Sequence, residues 1–147
     1  MQLTLSYTYR GLSFEDVVDA YWACREKYSS TFSEVPGTHF ECLTSYPVPR
    51  AIAPLLPWLK AIDLQEIGKV DRETRMLHCV VLNECSRTHM TIQPDEHGNT
   101  IARATANIDT SGWNKLVIAA APAISREQFR IQREKEAKLA RRTAAAR

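Results

Sequence analysis

The chain has no glycine-rich loop. Its five glycines, Gly11, Gly37, Gly68, Gly98 and Gly112, stand singly, so no backbone cradle for a nucleotide phosphate can be placed. No apolar run is long enough to span a bilayer as a helix. Met1-Gln-Leu-Thr-Leu lacks the basic-then-hydrophobic order of a secretory leader and is not an Arg-rich presequence, so neither is expected here. The four cysteines, Cys24, Cys42, Cys79 and Cys85, form no close pair. Buried thiols in a reducing compartment are expected, and no metal site. The imidazoles are His39, His78, His89 and His97. His89 can meet Cys79 across strands, but no third group stands at a triad spacing. Glu66 and Glu84 flank the central strands, and nothing selects them over surface charge for acid/base work. Aromatics are not interleaved with the basic residues, which leaves no stacking readout of nucleic acid and no specific nucleic-acid motif. No catalytic residue and no enzymatic activity are therefore expected.

At 147 residues, one domain with one moderate core is expected. The charge is uneven. Residues 126–147 hold eight Arg/Lys against three Glu, a balance of +5, so a formal +2 for the whole leaves −3 on the first 125 residues. A basic tail of this kind suits an anionic partner, whether a phospholipid surface, RNA or an acidic protein.

The organising stretch is Leu64 to Asp109. Two pairs of extended runs are each split by a polar turn, Asp71-Arg72-Glu73-Thr74 and Asp95-Glu96-His97-Gly98-Asn99. Ala102, Ala104, Ala106 and Ile108 alternate with Arg103, Thr105, Asn107 and Asp109, as in a strand with one dry face. Met76–Leu82 is nearly continuous apolar sequence and suits a central strand. Before it, Leu3, Leu5, Tyr7 and Tyr9 alternate with polar residues, and Arg10-Gly11 ends that strand. Ser13 and Asp16 open a helix whose stripe is Phe14, Val17, Val18, Tyr21 and Trp22. Ser29 to Thr38 reads as loop, and His39 to Tyr46 as strand. Arg50 to Ile62 is apolar but broken by Pro54 and Pro57, which suits short helical turns or a lid, with a static core segment the alternative. Trp58 and Lys60 also suit a membrane interface. Trp113 to Ala121 reads as a short helix stopped or kinked at Pro122, with Ser125 capping a second one. Phe129, Ile131 and Leu139 make a poor stripe, so the distal half of that helix is expected to be solvated or held by a partner.

This order of elements is that of α+β helix-grip (START-like) domains, in which a curved antiparallel sheet wraps a C-terminal helix. Within that class the chain resembles the PRELI/MSF1 family of mitochondrial phospholipid-transfer proteins, as a divergent and shortened member. The resemblance rests on LTLSYTY followed by SFEDVVDAYWACREKY with its closing Lys27-Tyr28, on LLPWLKAI, on VDRETRMLHCVVLN, and on ISREQFRIQREKEAKL where the closing helix belongs. Where the family has Pro-Asn-Pro this chain has Ser29-Ser30. Only one strand is read between Tyr28 and Leu56 where the family has a hairpin, and Arg72 replaces a proline.

The resemblance implies one domain: sheet, first helix and lid over residues 1–125, closing helix and basic tail over 126–147. It implies non-catalytic lipid binding and transfer, with a bound phospholipid as the only cofactor-like molecule. Lys27, Arg50 and Lys60 would meet the head group, and Leu56, Trp58, Ala104 and Ala106 would form cavity and lid. A mitochondrial setting, intermembrane-space or membrane-associated, and a small twin-Cys helical partner follow from it as expectations. The alternative is an accessory subunit of a large mitochondrial complex (respiratory complex, ATP synthase or mitoribosome) that keeps the fold without transport, with Arg130, Arg133, Lys138 and Arg141 meeting its neighbours.

Overall fold

In the computed structural model of the protein, the backbone is described for residues 1–35, 39–50 and 53–147, and side chains for 1–25, 39–50 and 53–147. The elements are β1 (Gln2–Tyr9), α1 (Phe14–Tyr28), β2 (Ser29–Val35), β3 (His39–Pro47), a 3-10 turn (Ala53–Leu55), β4 (Ala61–Asp71), β5 (Met76–Leu82), β6 (Ser86–Pro94), β7 (Thr100–Ile108) and α2 (Lys115–Ala145). All seven strands form one antiparallel sheet in the order β1-β7-β6-β5-β4-β3-β2. The expected meander β4 to β7 is its centre, and β1 returns to pair with β7.

Local chemistry fixes the turns. Asp71 Oδ1 accepts from the amides of Glu73 (3.0 Å) and Thr74 (3.2 Å), and Asp95 Oδ1 from those of His97 (2.8 Å) and Asn99 (2.9 Å). These are side-chain mimics of backbone turns. Gly98 takes a φ of 77° there, which a side chain would resist. Ser13 Oγ accepts from the Asp16 amide at 3.2 Å and caps α1 as its sequence implies.

Three expectations change. Ser29–Val35 is an edge strand forming a hairpin with β3, so the hairpin thought to be missing is present; residues 36–38 of the expected loop lie outside the described residues. Thr31, Phe32 and Val35 favour extended backbone, and the serines that suggested a loop are tolerated at an edge, where a register shift follows Ser29. The two expected C-terminal helices are one 31-residue helix, capped by Asn114 rather than Ser125 and running through Pro122. Its distal half is solvated on one face only: Lys138, Arg141 and Arg142 are exposed, while Arg133, Glu136, Ala137 and Ala140 are buried, facing α1 and β1. Small residues at 137 and 140 let the helices approach closely, which a search for large apolar residues overlooks.

The apolar core lies on the inner sheet face. Tyr9, Leu12, Phe14, Val17, Val18, Tyr21, Phe40, Val70, Leu77, Ile92 and Ala102 close one end of it. Phe40 pairs across strands with Gly68, and a Cβ on Gly68 would lie 2.1 Å from the Phe40 ring. Glycine is required here by close approach, not by its φ.

Candidate functional site

The inner face can be followed row by row through the strand register. Phe40, Gly68, Cys79, Met90, Ala104 and Leu5 form one row, and Cys42, Glu66, Val81, Thr88, Ala106 and Leu3 the next. Glu66 is thus a carboxylate at a position that the alternation of β4 reserves for the dry face. Arg25 falls one turn after Tyr21 on the stripe of α1 that enters the core, and Glu136 lies beside Ala137 and Ala140 on α2. These charges meet.

Arg25 donates from Nε to Glu66 Oε2 and from Nη2 to Glu66 Oε1, both at 3.0 Å, and its Nη1 donates to Glu136 Oε2. Tyr21 Oη donates to Glu66 Oε1 at 2.8 Å, and Tyr9 Oη to Glu136 Oε1 at 2.7 Å. Arg133 Nη2 donates to Glu136 Oε2 at 3.1 Å. Its Nη1 lies against the Met90 thioether, a weak acceptor, while Nε is 2.8 Å from Glu136 Oε1 without hydrogen-bond alignment. Two guanidiniums and two carboxylates, all 7% exposed or less in their side chains, therefore neutralise one another.

The electrostatics follow from this geometry. Burial alone would push the Glu66 carboxyl up, but Arg25 and its hydrogen bonds, with Arg133 and Tyr21, outweigh it and hold Glu66 at about 2. Burial and neighbouring Glu136 raise Tyr9 well above its ordinary value, and burial does the same for Tyr21. Burial, with Glu66 nearby, pushes the Cys79 thiol up to about 12, so it is inert as a nucleophile. Groups held so firmly in one protonation state suit a fixed polar floor and not proton transfer near neutrality.

Beyond this floor the inner face loosens. Ile62, Leu64 and Val81, with Tyr46 and Thr88, are half-buried, as are Ile108 and Trp113 near the same end. The pairings Pro47–Ala61, Leu82–Arg87 and Ser86–Ile108 place the β3–β4 connection, the β5–β6 turn and the approach to α2 at this one end of the sheet. Trp58 (74% exposed), Leu59 and Leu116 (65%) are exposed large apolar residues in the connection and the first turn of α2.

The sequence-proposed residues divide accordingly. Ala104 and Ala106 are buried on the inner face; Leu56 is half-buried and Trp58 exposed. Arg50 and Lys60 are exposed in the β3–β4 connection, while the Lys27 side chain and residues 51–52 of the lid segment lie outside the described residues. Lys138 and Arg141 are exposed on α2, and Arg130 is exposed and held by Glu127 and Glu134. Arg133 is no surface contact: it is buried in the ion network, because it projects from the α2 face that meets the sheet. His89 and Cys79 do not meet, since Cys79 points inward opposite Met90 while His89 is exposed on the other face. Glu66, Arg25 and Glu136 were missed. Their signal was position, a charge at a dry place in a periodic stripe.

No family model matches the chain, and no curated protein matches it by sequence. Solved structures do. TTHA0849 from Thermus thermophilus superposes with a TM-score of 0.68 over 100% of both chains at 11% identity. Ara h 8.0201 gives 0.50 over 95% of this chain and 97% of that one, also at 11% identity. The architecture is the α+β helix-grip fold. At this identity the likeness shows the fold alone.

Proposed function

We propose that this helix-grip protein is a non-catalytic binder of a single-chain amphiphile, a lipid-binding role narrower than carriage of a diacyl phospholipid. One observation carries it: the inner face is sealed and apolar at one end, crossed by a neutral ion network, and apolar but half-open at the other. From Ala61 to Glu66 that face offers roughly 17 Å of strand. An apolar tail fits there against Ile62, Leu64, Val81 and Trp113. Fully buried Tyr9, Tyr21, Phe40, Leu77 and Ile92 occupy the region beyond, which disfavours a second, deeper chain. The self-neutralised network gains nothing from an added charge, so the head stays at the rim, where Arg50 and Lys60 offer charge-assisted donors.

Transfer between membranes and a mitochondrial setting extend this proposal from the PRELI/MSF1 resemblance. The accessory-subunit reading keeps the exposed basic face of α2, Lys138 and Arg141, but not Arg133, which lies with Glu136, Ala137 and Ala140 on the face buried within the chain itself. The test is native mass spectrometry of the purified protein followed by titration with a fluorescent fatty acid. A saturable 1:1 complex weakened at least about tenfold by Arg50→Glu with Lys60→Glu supports the reading; no complex contradicts it.

A further inference from the structure

The outer face of the sheet carries a second concentration of chemistry. Three of the four histidines lie on it. His39, Lys69, His78, Thr91 and Arg103 stand opposite one another across β3, β4, β5, β6 and β7 in a single register row. His89 occupies the adjacent row beside Val80 and Ile67. Neighbours in such a row are about 4.8 Å apart along the hydrogen-bonding direction. Between them lies an open depression of about 260 Å³ lined by His39, Lys69, His78, His89 and Thr91 among others. We propose that this depression, where His39, Lys69, His78, His89 and Thr91 converge on the outer face of β3 to β6, binds the phosphate group of a small soluble phosphorylated molecule.

Charge is the first argument. On this face β3 presents His39 and Glu41, β4 Asp63, Lys69 and Asp71, β5 His78, β6 Arg87 and His89, and β7 Arg103. Two carboxylates are nearest by register: Glu41, beside His39 on β3, is engaged by Gln65 Nε2 at 2.6 Å, and Asp71, beside Lys69 on β4, accepts from the amides of Glu73 and Thr74 and also feels the charge of Lys69. With the imidazoles protonated, His39, Lys69 and His78 are three cations in succession across adjacent strands. Like charges placed directly opposite destabilise a sheet. A dianion seated among them removes that cost, so binding and protonation reinforce one another. Shape is the second argument. The volume is slightly below the usual range for small-molecule sites, about 300–1,000 Å³. An open depression of that size suits a single phosphate-bearing group. Thr91 supplies a neutral hydroxyl donor beside His78.

The test is titration calorimetry with inorganic sulfate, which stays dianionic throughout, and with inorganic phosphate, at pH 5.5 and 7.5 and constant ionic strength. Sulfate is expected to bind about tenfold tighter at pH 5.5. His78→Gln with His89→Gln is expected to reduce that difference below about twofold, and Lys69→Gln to weaken binding at both pH values. All three side chains are exposed, and unchanged circular dichroism confirms that the variants fold. Absence of sulfate and phosphate binding at pH 5.5, or binding untouched by these changes, overturns the site. Sedimentation with phosphatidic-acid vesicles through the same residues, without binding of free anions, overturns the choice of ligand and assigns the face to a membrane.

Discussion

Arg25 on α1 and Glu66 on β4 face each other inside the protein through two 3.0 Å hydrogen bonds, with side chains only 6% and 7% exposed. The pair joins helix to sheet where a wholly apolar interior would be the simpler solution. Removing one partner leaves a buried charge without compensation, which costs about 3–5 kcal/mol. Glu66→Gln should therefore lower the urea midpoint by that equivalent. Arg25→Met combined with Glu66→Leu leaves Arg133 and Glu136 balanced and should be more stable than either single change. A Glu66→Gln loss below about 1 kcal/mol would show the network to be weaker than its geometry implies.

Acid acts on the same carboxylate. Its folded value of about 2 lies below the ordinary 4.5. The depressed group contributes stability that is fully present above about pH 4.5 and lost as pH falls toward 2, on the order of 3 kcal/mol. Thermal melts between pH 5 and 2 should show this decline in the native protein and a shallower one in Glu66→Gln. Parallel declines would place the acid sensitivity elsewhere.

Gly68 should tolerate no side chain while Phe40 lies over it. A Gly68→Ala change meets the ring at 2.1 Å and the His78 carbonyl oxygen at 2.9 Å, and forced repacking of this kind typically costs about 1–3 kcal/mol. Phe40→Leu in the Gly68→Ala background should recover part of the loss, measured by chemical unfolding. Strict additivity of the two changes would deny the contact.

Thiol chemistry should follow burial. Cys42 and Cys79 are buried, and Cys24 and Cys85 half-buried. In native protein at pH 8, N-ethylmaleimide should label Cys24 and Cys85 well before Cys79, as read by peptide mass spectrometry. Early labelling of Cys79 would mean that the interior opens readily.

Much of the architecture was legible because periodicity is a local signal. Leu3, Leu5 and Tyr9 alternate as written, as do Ala102, Ala104 and Ala106, and the Asp71 and Asp95 turns sit where their side chains require. What failed depended on neighbours. Ser29–Val35 becomes a strand only because β3 offers an edge, and Pro122 is carried by a helix that continues through it. The interior site was hidden for the same reason. Arg25, Glu66, Arg133 and Glu136 look like surface charge one at a time, and only the third dimension brings them within hydrogen-bonding distance.

The most direct test of the interior as a binding site is a competition titration with a fluorescent single-chain fatty acid. Unlabelled fatty acid should displace it stoichiometrically, a diacyl phospholipid at least about tenfold less well, and Ile62→Glu should abolish uptake without unfolding the protein. Equal competition by the diacyl lipid, or uptake undisturbed by Ile62→Glu, would contradict the account.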